Sequence, residues 1–293
     1  MFGGIKDIYE KHYKLLVLIP TFILILALVQ IGFQQTNTGS FLIKDITLKG
    51  GTTLTVFKNE ETTDTVWEAF LQERFPGEEF NLRVLENRGV MDGFVVETSL
   101  SGDRATELIK TIEEKTGTLG EDDFDVEIIG SALGDSFFKE TIIALLFAFL
   151  LMGIVVLIYF RVFVPSIAVM LAAFSDIIVT LAIINLLSIK VSTAGLAAFL
   201  MLIGYSVDTD ILLSTHVLKR KDVGINQRVY RAMKTGLFTT GTTLVAVIVA
   251  LIISKSEVIT EIMTIVFIGL IVDLVFTWLQ NAGLLKWYAH GKD

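Results

Sequence analysis

Ile203-Gly204-Tyr205-Ser206-Val207-Asp208-Thr209-Asp210-Ile211-Leu212-Leu213 places two carboxylates inside a run that is otherwise mostly apolar from about Val191 to Leu218. A lipid-facing helix does not tolerate them. One ionisable side chain near a bilayer centre costs roughly 2.5–3.5 kcal/mol on insertion scales. The two acids therefore face protein or water, and they mark a candidate ion path. Asp210 follows Asp208 by two positions, roughly 200° around a helix, so the pair does not share one face. On these grounds Asp208 is the leading functional candidate and Asp210 the structural member of the pair.

The surrounding composition agrees with a membrane setting. The chain has 293 residues, 53% of them hydrophobic, and a mean hydropathy of +0.66. That is too apolar for an ordinary soluble domain. The net charge of −8, without a basic patch, argues against nucleic acid as a partner. Cysteine is absent, which excludes disulfides and thiolate chemistry. His12, His216 and His290 are too scattered for a histidine metal site. They also assemble no Ser-His-Asp arrangement, and no Gly-rich Lys-Ser/Thr phosphate loop occurs. The chain reads as a non-enzyme with no cofactor. Its energy source would be an ion gradient or a partner's nucleotide hydrolysis.

Six apolar runs are long enough to cross a hydrocarbon core of ~30 Å. They are Leu15–Phe33, Thr141–Phe160, Val164–Leu187, Val191–Leu218, Gly236–Ile253 and Val258–Leu285. Pro20 lies inside the first, which membrane helices tolerate. The first run is longer than a signal-peptide core and lacks a clean cleavage site, so it reads as a retained helix.

Between the first and second runs lies a polar segment, residues 34–137, with 21 acidic and 9 basic residues. Strand-like stretches at Thr52–Phe57, Phe80–Leu85, Met91–Thr98 and Phe124–Ile129 alternate with helical patterns at Asp64–Phe75 and from Ser101 through Lys115. Asn87-Arg88-Gly89 reads as the turn between the middle strands. The order β-α-β-β-α-β is ferredoxin-like. The expected architecture is a mainly α membrane protein with six transmembrane helices (1 + 5) and a ferredoxin-like α+β extracytoplasmic domain. Its divisions are residues 1–14, 15–33, 34–137, a five-helix bundle at 138–285, and a tail at 286–293.

Positive charges set the expected orientation. Lys6, Lys11 and Lys14, Arg161, the Lys219–Lys234 loop with six basic residues, and Lys286 with Lys292 all fall on one side. The positive-inside rule makes that side cytoplasmic, with both termini, in a multi-pass cell-membrane protein. Lys190 and Lys255, in the loops of the opposite side, run against the trend. Ile5 and Tyr9 suit a membrane surface, and Trp287-Tyr288 an interfacial belt.

Asp176 and Asp273 lie near the middle of the third and sixth runs. With Asp208 and Asp210 they make four intramembrane acids, and Arg231 is the nearest candidate cation. Two readings stand side by side: a proton or ion relay tuned by Arg231, and polar glue between helices or subunits. The run Thr239-Thr240-Gly241-Thr242-Thr243 after Gly236 reads as close helix packing, with a water-lined path as the alternative.

Four stretches resemble the SecD/SecF family of Sec protein-export membrane proteins, within the resistance-nodulation-division superfamily. Lys49-Gly50-Gly51-Thr52 is similar to the family's Gly-Gly-Thr entry to its periplasmic domain. Ser175-Asp176 through Thr180-Leu181 resembles its His-Asp-Val and Thr-Leu pattern. Gly204-Tyr205-Ser206 resembles the SecF branch rather than SecD. Arg231 through Thr235 and Thr239 resembles the family's Arg-Thr-x-x-Thr-Ser-Leu-Thr-Thr. Asp208 falls on a family Asn, Thr209 on its Asp and Asp210 on its Thr, and Asp273 has no evident counterpart. Thr215 replaces a family acid, in closer likeness to the archaeal members.

The resemblance implies a SecD-like subunit, the Sec translocon channel, a translocating polypeptide and the lipid membrane as partners. It points to Asp176, Asp208 and Arg231 as an interfacial ion or proton site. A small-molecule or lipid exporter of the same superfamily, or a passive translocon scaffold, are the alternatives.

Overall fold

A computed structural model describes residues 13–57, 64–78, 80–87, 90–117, 120, 123–220, 222–254 and 256–291. Ile5, Lys6, Tyr9, Lys11, His12, Arg88, Gly89, Lys221, Lys255 and Lys292, which figure in the sequence reading, lie outside the described residues. The chain divides into two compact units, Lys44–Glu140 and the combination of Met1–Ile43 with Thr141–Asp293.

The smaller unit begins with a one-turn helix, α2 (Ile46–Lys49), capped by Asp45, whose carboxylate accepts from the Thr47 backbone N–H. Four strands follow: β1 (Gly51–Val56), β2 (Phe80–Asn87), β3 (Val90–Thr98) and β4 (Phe124–Ile129). They form an antiparallel sheet of order β2-β3-β1-β4. Helix α3 (Asp64–Arg74) connects β1 to β2, and α4 (Asp103–Thr116) connects β3 to β4. This is the ferredoxin-like order expected from the alternating pattern. Leu54, Val56, Phe94 and Val96 of the sheet meet Trp67 and Leu71 of α3 and Leu108 and Ile112 of α4 in one apolar core.

Gly50 and Gly51 have φ of 78° and 149°. These values are open to glycine and strained for other residues. A Cβ on Gly51 would also overlap the Thr98 carbonyl. The paired glycines thus turn the chain out of α2 and straight into the sheet.

The larger unit is helical. Its members are α1 (Tyr13–Thr38), α5 (Ser131–Phe160, which starts in the smaller unit), α6 (Phe163–Leu186), α7 (Thr193–Lys219) and α8 (Ile225–Ile253). The last helix runs from Glu257 to His290 in three parts: α9 (Glu257–Val275), a π-helical turn (Phe276–Asn281) and α10 (Ala282–His290). Six helices among the described residues are long and apolar enough to cross a membrane. They extend the sequence-read spans at several ends. The sixth continues past Leu285 to His290, so Lys286 is a buried helical residue rather than part of a tail.

Helices α6, α7 and α9–α10 are the most buried, whereas α1, α5 and α8 keep most of their apolar surface outward. That outward surface is what lipid covers in a membrane. Leu24 and Ala27 of α1 pack on Val179 and Ala182 of α6 and on Val272 and Phe276. Val156 and Phe160 of α5 pack on Val169 and Ala173 of α6 and on Ile203 and Val207 of α7. Gly236 lets α8 approach closely, because a Cβ there would press on the Trp278 ring and on Thr209.

Candidate functional site

Three of the four intramembrane acids converge. Asp176 on α6, Asp210 on α7 and Asp273 on α9 are at most 1% exposed. Each sits on one of the three inner helices, where charge avoids lipid at the cost of desolvation. Their polar partners come from the same helices. Ser206 Oγ donates to Asp176 Oδ2 at 2.6 Å. Thr277 Oγ1 lies 2.9 Å from Asp210 Oδ1 and 3.0 Å from Asp273 Oδ1. Asn281 Nδ2 donates to Asp210 Oδ1 at 2.7 Å. Asp273 also adjoins Asp176 and Ser206. One oxygen of each acid (Asp176 Oδ1, Asp210 Oδ2, Asp273 Oδ2) has no donor in the structure.

Local sequence explains the convergence. Asp273, Thr277 and Asn281 recur every fourth residue and so line one face of the last helix. Thr277 and Asn281 belong to the π-helical turn. Such turns are frequent at functional sites. Thr180 and Ser214 follow Asp176 and Asp210 by four residues on their own helices, and their buried hydroxyls have no hydrogen-bond partner in the structure.

The structure corrects the order of the sequence candidates. Asp208 is exposed, on the same outward side of α7 as Gly204 and Tyr205. Asp210, read from sequence as the secondary acid, takes the central buried place. Arg231 does not reach any of the buried acids. It pairs with Asp222 in the preceding loop at 2.7 Å, with both side chains more than half exposed. The Arg231 guanidinium hydrogen bond holds the Asp222 carboxyl below its ordinary range. The neighbouring Arg228 donates to the carbonyls of Val223 and Val217, closing the C-terminal end of α7.

Among the family-motif residues, Ser206 joins the acid site, while Gly50 and Gly51 serve the turn into the sheet. Thr235 and Thr239 are exposed and donate to the carbonyls of Arg231 and Thr235. Their hydroxyls are thus satisfied within α8, and the inward face there is formed by Gly236 and Thr240. Thr277 and Asn281 escaped the sequence reading. Their signal was the four-residue spacing from Asp273.

At the other end of the same helix pair, Glu261 of α9 holds the start of α7. It accepts from the Ser192 backbone N–H at 2.7 Å and from Ser192 Oγ at 2.6 Å. Ser192 Oγ in turn accepts from the N–H groups of Ala194 and Gly195. A carboxylate here also complements the positive end of the helix.

A six-helix membrane bundle split 1 + 5 by a ferredoxin-like unit, with buried acids on its inner helices, defines a class of multi-pass transport-associated subunits. The described profile "Protein export membrane protein SecD/SecF, C-terminal" matches residues 109–291. The chain is 37% identical to the protein-export membrane protein SecF of Methanolacinia petrolearia, over 96% of each chain. It is 39% identical to that of Methanocaldococcus jannaschii, over 95% of this chain and 96% of the relative. The chain belongs to the SecD/SecF family. The crystal structure of SecDF from Thermus thermophilus superposes with a TM-score of 0.73 at 21% identity. That alignment covers 94% of this chain and 38% of the SecDF chain, and it bears on the fold.

Proposed function

We propose that the chain is a SecF-type accessory subunit of protein export, acting with a SecD-like partner beside the Sec translocon channel on a translocating polypeptide. Full-length similarity to proteins named SecF supports the role. The observation that carries the partner is Asp208. It is exposed on a membrane-spanning helix beside Gly204 and Tyr205. Lipid contact there costs roughly 2.5–3.5 kcal/mol, whereas a polar or basic partner helix would satisfy the carboxylate. Small residues such as Gly204 also permit close helix approach. The superposition on less than half of a longer SecDF chain is consistent with this chain supplying one half of a paired bundle.

In this reading both termini are cytoplasmic and the ferredoxin-like unit is extracytoplasmic, because the basic loops collect on the first side. The buried site of Asp176, Asp210 and Asp273 couples an ion or proton gradient to bundle packing and so to the outer unit. The native chain has no cysteine, so single engineered cysteines give a clean test. A cysteine at Asp208 should crosslink to a co-purifying SecD-like chain, and a cysteine at Phe238 should not. Equal crosslinking at both, or no SecD-like chain in mild detergent, refutes the assignment.

A further inference from the structure

Lys14, Leu18, Phe22, Ile25 and Val29 recur three or four residues apart and so share one stripe of α1. The four apolar members are each more than half exposed, and Lys14 is exposed as well. The stripe therefore has a cation at its start and large apolar side chains along the rest of its length. Helix contacts inside a membrane favour small residues, which let backbones approach. This stripe has none, so it suits lipid better than a further helix.

At the Lys14 end, α1 meets the last helix. A Cβ on Gly283 of α10 would overlap Val17 and approach the Tyr13 carbonyl. Two turns further along α10, His290 stacks on Tyr13 with ring centroids 5.7 Å apart. Beside this line of contact a groove of about 160 Å³ opens between the two helices. Lys14 and Val17 line it from α1, and Gly283, Leu284 and Trp287 line it from α10. Trp287 is 58% exposed, and an amphipathic indole suits the headgroup level of a bilayer.

The charge of the groove is one-sided. Neither Tyr13–Thr38 nor Ala282–His290 contains an acidic residue. Among the described residues, no carboxylate pairs with the Lys14 ammonium. The His290 ring is already engaged, with Nδ1 2.8 Å from the Lys286 carbonyl. Lys14 is thus an unpaired cation at the mouth of an apolar groove, on a stem long enough to reach headgroup level.

We propose that this groove between the first and last spanning helices binds an anionic phospholipid of the membrane. Its phosphate rests on the Lys14 ammonium beside the Trp287 ring. One of its chains runs from Val17 and Leu284 along Leu18, Phe22 and Ile25. The bound lipid bridges α1 and α10 where they touch, and so helps to seat the first helix on the bundle. The inference uses the membrane placement of the chain and is independent of its role in export.

Quenching of tryptophan fluorescence by brominated lipid tests the site. The full chain is placed in phosphatidylcholine nanodiscs containing increasing fractions of brominated phosphatidylglycerol or brominated phosphatidylcholine. The signal read is the quenching that Trp287→Phe removes. One lysine at an anionic surface predicts half-quenching at an about fivefold lower fraction of the phosphatidylglycerol. Lys14→Gln should bring that ratio to about one, and Lys14→Arg should keep it. Lys219→Gln, which removes another exposed lysine at a helix end, should leave it unchanged. Both Lys14 and Trp287 are exposed, so these variants leave the packed interior intact. Equal quenching by the two lipids in the wild type overturns the proposal, as does a preference that survives Lys14→Gln. Loss of the preference on adding soluble glycerol 3-phosphate also overturns it, because the groove would then hold a free anion rather than a lipid.

Discussion

Replacing Asp210 separates its shape from its charge. Its Oδ1 accepts from Thr277 at 2.9 Å and from Asn281 at 2.7 Å, and both donors are fully buried. Asp210→Ala leaves both donors without that acceptor. Leaving a buried donor without its acceptor costs about 1–3 kcal/mol, so the two together predict a loss of up to about 6 kcal/mol. Asp210→Asn keeps an Oδ1 for the same two donors and places an amide where Oδ2 has no donor. Its predicted cost is about 1 kcal/mol or less. Detergent-unfolding titrations in mixed micelles, read by Trp278 fluorescence, measure both variants against the wild type. Equal losses in Ala and Asn would show that the two hydrogen bonds do not hold the site. Asp208→Ala, on the exposed side of α7, should cost less than about 1 kcal/mol in the isolated chain.

Gly236→Val should force Trp278 away from α8 and cost about 1–3 kcal/mol, seen as a Trp278 emission shift. Glu261→Ala should release the Ser192 end of α7, with a loss of about 1–3 kcal/mol and faster amide exchange confined to Ser192–Gly195. The Arg231 pair lowers the folded-state pKa of Asp222, so its contribution is present above the unfolded pKa and fades as pH falls through the lower folded value. Arg231→Gln should therefore raise the Asp222 midpoint in a carbon-13 carboxyl titration while leaving global stability nearly unchanged, because both groups are exposed.

Much of this organisation was legible in the residues. Length and apolarity alone expose the six spans, and the β-α-β-β-α-β order follows from alternation and turn residues between Gly50 and Ile129. That Asp208 and Asp210 oppose each other also follows from the helical repeat. Which of them points inward does not, because it depends on how α7 is rotated against α6 and α9. Both flanks of α7 are apolar enough to face lipid or protein, so the pattern carries no decisive moment. Arg231 misled for a related reason. Its reach toward the bundle was plausible by distance along the chain, but Asp222 lies nearer in a short loop and captures it. The spacing of Asp273, Thr277 and Asn281 was visible, yet its meaning needed the partner acid on another helix.

Export itself bears most directly on the central claim that the buried acids couple an ion gradient to translocation. Vesicles holding the complete complex can be loaded with an arrested precursor, and its release timed with and without a protonophore. Collapse of the gradient should slow release in the wild type. Asp210→Asn and Asp273→Asn should release slowly with or without the gradient. Release that is equally fast in all of these conditions would contradict it.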